Sequence, residues 1–302
     1  MWGGEIMESI VSSTVFHVIP WGASYALYFF LIGMSAGAFI LSMLPHVCPG
    51  EGKYMPLSKT SWVISFILLL ITGPILIFDL TTPGRFIYLF FPNYWHMSSP
   101  LMWGTLLLMG MGLFSILYGW ALYTQNPLVK LFGTIGGLFA IGLPIYTGFD
   151  LAVHPGRPVW HSAVISPLFL ILSLSSGVGL VSLIAYFINK DALSKELLEG
   201  LRNILLFSAT ATFVMLLAQS VVLAYGGEEE HYTLTLIYAN YGFLYWGISW
   251  LLGTFIPLGI LLAPRFGAST NGIAIASALI ILASYSLRHI ILLSGQLIQQ
   301  VY

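Results

Sequence analysis

Tyr146, Asp150 and His154 follow one another at intervals of four residues, and Arg157 comes three residues later. Residues four apart share one face for as long as a helix lasts. Pro155 and Pro158, with Gly156 between them, stop the helix and hold Arg157 beyond its end. A phenol, a carboxylate, an imidazole and a guanidinium are thereby strung across a helix end. Taken singly, they also suit an ordinary helix terminus at a membrane surface. Taken together, they could grip a membrane-soluble molecule and exchange protons with it.

The surrounding elements are apolar. Hydrophobic residues make up 58% of the 302, and charged residues only 7%. A soluble domain carries about 25% charged residues, so this protein cannot cover a water-facing surface and is read as an integral membrane protein. A net charge of −1 gives no reason to expect nucleic acid, and the single cysteine, Cys48, excludes an internal disulfide framework or a Cys-ligated cluster. Glu5 and Glu8, without Lys or Arg, make the first residues unlike a cleaved signal peptide. Residues 6–19 are mildly amphipathic and read as an interfacial helix.

The expected fold class is all-α: a single domain, 1–302, of eight transmembrane helices in two four-helix bundles. Each apolar segment is near the ~20 residues that a bilayer requires. They run approximately over 21–44, 61–80, 101–123, 131–153, 163–188, 201–225, 242–263 and 272–296. Gly33 with Gly37, and Gly133 with Gly137, are small-residue pairs of the kind that lets helices approach closely. Lys53, Lys59, Lys130, Lys190, Lys195, Arg202 and Arg265 follow the odd-numbered segments, whereas only Arg85 and Arg157 fall on the other side. This imbalance predicts a cell-membrane protein with the first set in the cytoplasm and both termini outside.

With that orientation the unusual residues gather in an outer layer. The first helix contributes Tyr25 and Tyr28, and the second ends at Asp79, seven residues after Thr72 and so on its face. Arg85 and His96 lie in the next loop, and the fourth helix adds Tyr146 and Asp150. Arg288 and His289 sit in the eighth helix, roughly 13 Å from its outer end. An arginine at that depth costs at least ~2.5–3.5 kcal/mol unless paired, so Arg288 is expected to face inward, towards Asp79, Asp150 or another acceptor. His17 and His231 are expected to be exposed.

A quinone head group would suit this layer. It needs donors to two carbonyl oxygens, which Tyr and His supply, and a group that exchanges protons, which a buried Asp supplies. A bis-histidine haem needs two histidines at matched depth in the bundle. Only His289 is deep, so haem is not expected. No Cys/His spacing suggests a metal site. Electrons would then enter or leave through another subunit.

The segments Ile19–Gly22 through Tyr28–Ala38, Phe78–Phe86, His96–Gly104 and Tyr146–Trp160 resemble the polysulfide-reductase membrane-anchor family, the NrfD-like subunits. The resemblance runs through the whole sequence in order, most specifically in its first half. It implies an eight-helix, haem-free anchor reacting with quinone, menaquinone in particular. It also implies a partner with four [4Fe–4S] clusters, itself wired to a molybdopterin-type catalytic subunit. The family's quinone site lies among helices 1 to 4. Tyr146 stands where the family has its quinone-contacting tyrosine, and Arg85, Arg157 and Arg288 match its arginines. Tyr25 and Tyr28 stand where the polysulfide reductase has an asparagine and a histidine.

The candidate catalytic residues are therefore Tyr146, Asp79 and Asp150. Tyr25, Tyr28, Tyr146, Arg85, His154, Arg157 and Arg288 are the candidates for holding the quinone, and no residue is assigned to a metal. Two other readings compete: an ion- or proton-coupled transporter, and a purely structural anchor. Gly73-Pro74 and Pro144 would interrupt helices 2 and 4 as transport requires, but the cytoplasmic half offers almost no proton relay.

Overall fold

Backbone polar groups in hydrocarbon must be satisfied within the segment, so apolar stretches of this length have the helix as their available form. The computed structural model describes residues 21–79, 83–154, 156–188, 190 and 193–297, with only the backbone of Asp79, Arg85, Leu89 and Phe90. The segment expected as an interfacial helix, and His17 within it, lie outside the described residues.

Among the described residues, eight helices are long and apolar enough to cross a membrane. They are α1 (Ala23–Val47), α2 (Met55–Asp79), α3 (Pro100–Tyr123), α4 (Val129–Ala152), α5 (Ile165–Ile188), α6 (Lys195–Tyr225), α7 (Glu228–Leu262) and α8 (Thr270–Ser294). Short 3₁₀ turns, Pro83–Phe90 and Pro92–Tyr94, link α2 to α3. Ser194 and Ser269 cap α6 and α8, each side chain accepting from a backbone N–H three residues on.

Several helices begin earlier than the apolar pattern predicts. α2 starts at Met55 rather than 61, α6 at Lys195 rather than 201, and α7 at Glu228 rather than 242. Lys59, Lys195, Arg202 and Glu228–Glu230 therefore belong to helices and not to loops. Hydropathy marks only the part of a helix that meets hydrocarbon, and polar first turns project past it. Three glutamates opening α7 also suit the positive end of a helix. The expected interruptions of helices 2 and 4 are absent, since α2 continues through Pro74 and α4 through Pro144.

The irregular span is α7. Tyr241 leaves helical geometry at φ −128°, ψ 17°, and Phe243–Phe255 follows as a π-helix. Hydroxyls of Ser249 and Thr254 bond carbonyls five residues back, on Leu244 and Ser249.

α1–α4 pack as one group and α5–α8 as another, joined mainly where α1 lies against α5. Glycines bring these two backbones together: a β-carbon at Gly37 would stand 2.1 Å from the Ser173 carbonyl oxygen, and one at Gly177 2.5 Å from the Ala38 nitrogen. α1 and α2 are held by two reciprocal serine pairs. Ser35 Oγ donates to the Ser65 carbonyl and Ser65 Oγ to the Ser35 carbonyl, both at 2.8 Å. Seven residues along, Ser42 Oγ donates to the Ser58 carbonyl (2.7 Å) and Ser58 Oγ to that of Ser42 (2.9 Å). Tyr118 from α3 and His46 join this second pair. Ser35→Ala or Ser65→Ala should each lower stability by about 0.6 kcal/mol, the average for such bonds between membrane helices. Thermal unfolding in detergent measures it, and an unchanged midpoint in the double variant would contradict the clasp.

α2 and α3 otherwise touch little. Trp62 Nε1 donates to the Ser115 carbonyl at 2.9 Å, which fastens the two helices at one end. That end also gathers Lys53, Lys130, Lys190 and Arg202. The candidate residues lie at the other.

Candidate functional site

α1 enters the bundle at its aromatic end. Trp21 stacks on Tyr25 with ring centroids 4.8 Å apart, and Tyr25 and Tyr28 follow one turn apart at 5.7 Å. α4 arrives antiparallel beside it and brings Asp150 to the Tyr25 hydroxyl, which donates to Oδ2 at 3.4 Å. Tyr28 and Tyr146 lie within electrostatic reach of the same carboxylate. All four are sealed from solvent, Tyr28 at 3% exposure and Tyr25, Tyr146 and Asp150 at 6%. Among the described residues no Lys or Arg pairs with Asp150; the one ion pair is Lys53–Glu51.

Tyr146 is seated by α3. A β-carbon at Gly104 would lie 2.0 Å from the Tyr146 ring, so only glycine there leaves the ring its room. The Tyr146 hydroxyl is buried and has no hydrogen-bond partner among the described residues. A buried donor left unpaired costs ~1–3 kcal/mol, and such an orphan calls for an explanation. Gly148, one turn before Ala152, lets α4 close on the start of α5, where a β-carbon would meet Ser166 Cα at 2.4 Å.

His154 stays beside this group. Its Nδ1 lies 3.3 Å from the Leu151 carbonyl, and its ring meets Trp21 at 5.7 Å and Trp160 at 5.5 Å, edge-on to both. Arg157 turns away instead. Its Nη1 donates to the Gly295 carbonyl at 2.5 Å, just past α8, and its guanidinium lies 4.9 Å over Trp160. Partial burial draws its pKa down from the ordinary value. The negative end of α8 and an aromatic face both favour a cation there. Trp160 Nε1 donates to the Ile291 carbonyl at 2.7 Å and Gln296 Nε2 to that of Trp21 at 2.8 Å. The loop after α4 thus ties α8 to the mouth of α1.

Arg288 faces inward as expected, and the acceptors it finds among the described residues are other than Asp150. At 1% exposure it is bound by neutral groups: Ser284, the Ser173 hydroxyl at 2.8 Å and the Phe169 carbonyl at 3.3 Å. Gly33 makes its space, since a β-carbon there would stand 2.7 Å from Nη2. Arg288 therefore occupies the α1–α5–α8 junction and not the tyrosine–aspartate group. Asp79 closes α2 and Arg85 lies in the following 3₁₀ turn; their side chains lie outside the described set. His231 is exposed, as expected. Among the described residues, no group of three or more His, Cys, Asp or Glu could hold a metal ion.

Three phenols around one carboxyl, in a dry setting, can donate hydrogen bonds to carbonyl oxygens and hand a proton to or from them. Gly104 and Trp160 went unassigned in the sequence reading, although both lie in the stretches that carry the resemblance. Nothing in their types announces what they touch.

The family model described as "Polysulphide reductase, NrfD" matches residues 12–300. The protein is 26% identical to the NrfD homolog of Haemophilus influenzae, over 92% of its own length and 95% of that relative's. It is 24% identical to the membrane-family relative named as the C chain of polysulfide reductase in Wolinella succinogenes, over 98% of both lengths. It is also 24% identical to the Hdr-like menaquinol oxidoreductase integral membrane subunit of Archaeoglobus fulgidus, over 94% of its own length and 73% of that relative's.

Proposed function

Since the protein belongs to the NrfD polysulphide reductase family, we propose that it is the haem-free, quinone-reactive anchor of a multi-subunit oxidoreductase. It exchanges electrons between the menaquinone pool and a four-cluster iron–sulfur subunit, which serves a molybdopterin-type catalytic subunit. It sits in the cell membrane with the tyrosine–aspartate end and both termini outside. The relative named as a menaquinol oxidoreductase subunit supports the choice of quinone, and the surplus of Lys and Arg at the opposite end supports the orientation.

The observation that carries this reading is the buried Tyr146 hydroxyl, which makes no well-formed hydrogen bond to a described residue and stands close to the Asp150 carboxyl. In this reading Tyr146 and Tyr28 donate to the quinone oxygens, and Asp150 exchanges the proton that accompanies each electron. Tyr25 orients Asp150 through the bond already present. Asp79 at the end of α2 is a second proton-exchanging candidate, Arg85 is a candidate for organising the site or docking the partner, and His154 borders the site through Trp21. Arg157 and Arg288 act at one remove, through the helices that they fasten. Transport, the competing reading, asks for broken helices at equivalent places in two halves, whereas α2 and α4 run on through their prolines.

Asp150→Asn in the purified complex tests the proposal. Menaquinol oxidation should fall at least 100-fold, the low end for losing a proton-transfer group. Activity with a viologen dye that delivers electrons to the iron–sulfur subunit should stay within two-fold. Unchanged menaquinol oxidation, or equal loss of both activities, would overturn the role given to this site.

A further inference from the structure

His289 takes no part in the site above. It lies on α8 with its Nδ1 buried and without a hydrogen-bond partner among the described residues. Tyr241 of α7 stands edge-on to its ring at 6.3 Å, and Tyr285 lies one turn away at 5.7 Å. Phe30 of α1 closes the group, edge-on to Tyr285 at 5.5 Å. Neither tyrosine hydroxyl bonds a described residue. His289, Tyr241 and Tyr285 are each half-buried at the seam where α7 packs against α8.

Its depth is fixed by one bond. Gln296 is level with Trp21, whose carbonyl its amide reaches. His289 and Tyr28 each lie seven residues inward of that pair, about 10 Å along their helices. The two polar groups are therefore at matched depth. They stand on different sides of α1, because Tyr28 and Phe30 diverge by about 200° around a helix.

The seam also holds the backbone irregularity. The break at Tyr241 and the π-helix behind it turn that phenol towards α8, and Ser286 Oγ reaches the Leu244 carbonyl at 3.5 Å across the seam. π-segments occur frequently at functional sites. An imidazole and two phenols left unpaired at this depth are costly, and ionisable residues within spans are functional candidates by default.

We infer that the α7–α8 seam, closed by Phe30, is a second binding site for a quinone-class ring. The phenols of Tyr241 and Tyr285 offer donors to its carbonyl oxygens, His289 offers a further polar contact, and three aromatic rings offer flat walls. The depth excludes a water-soluble ligand and leaves one dissolved in the bilayer. This is binding alone, with no redox step assigned.

The test uses the intact complex in lipid nanodiscs, photolysed with an azido-naphthoquinone bearing an isoprenoid tail. Adducts are expected on peptides spanning 238–246 or 285–293, competed by unlabelled menaquinone. His289→Leu and, separately, Tyr285→Phe should each lower that labelling about five-fold, the effect of one lost hydrogen bond of ~1 kcal/mol. Labelling near Tyr146 should change less than two-fold in either variant. Adducts near Tyr146 alone would overturn the second site. So would seam adducts that both variants leave untouched, or that added phosphatidylcholine displaces as well as menaquinone does. Seam labelling without labelling near Tyr146 would uphold this inference and sink the function proposed for α1–α4.

Discussion

Tyr146→Phe is expected to lower menaquinol turnover about 100-fold while the complex assembles and keeps its thermal midpoint. The rate follows from what the hydroxyl does: removing one preorganised donor from a reacting oxygen costs 10²–10³ in rate. The unchanged stability follows from what it does not do. The hydroxyl makes no well-formed hydrogen bond to a described residue and gives up only a loose approach to the Asp150 carboxyl, so its loss costs little and relieves a poorly paired buried donor. The phenyl ring still fills the space beneath Gly104. A tyrosine with a merely architectural role would behave in the opposite way, with a lowered midpoint and normal turnover. Steady-state kinetics and thermal unfolding of one preparation decide between the two, and wild-type turnover would refute the role.

The largest structural effect is expected at Gly37. A side chain there would meet the Ser173 carbonyl oxygen at 2.1 Å, its carbon at 2.9 Å and Gly177 Cα at 3.1 Å. All three are backbone atoms, which cannot swing aside as a side-chain tip can. Gly37→Val must therefore drive α1 from α5, the contact that joins the two groups of four helices. The cost should exceed the ~1–3 kcal/mol of ordinary overpacking, and little monodisperse protein should survive detergent extraction. Gly73→Ala is the control, because nothing stands within 4 Å of a β-carbon there; its yield should match the wild type. Equal yields of the Gly37 and Gly73 variants would contradict the packing.

The sequence made the eight spans legible because lipid leaves a long apolar segment few alternatives. It also named Tyr25, Tyr28, Tyr146 and Asp150, which the structure brings into one group. Spacing alone joined Tyr146 to Asp150, and the four-residue interval continued to His154. It failed at Arg157, because beyond a helix end periodicity no longer aims a side chain; the direction is set by the carbonyl at Gly295, 138 residues away. At Arg288 the depth of the residue aimed the side chain inward but could not choose its acceptors: hydroxyls and carbonyls take the two terminal nitrogens, and Nε stays buried without a partner among the described residues. The serine pairs were hidden because serine is common in apolar helices and bonds its own preceding turn, as Ser173 and Ser182 do. The π-segment of α7 has no compositional mark at all.

The paired serines have a mechanical consequence. One pair would act as a pivot, about which α1 and α2 could swivel. Two pairs a heptad apart on both helices behave as two bolts through adjoining plates, and a slip by a single turn would unfasten all four bonds together. α1 and α2 can therefore tilt only as one stiff plank, so any strain felt at Tyr28 reaches His46 as a rocking of the plank and not as a piston stroke of either helix.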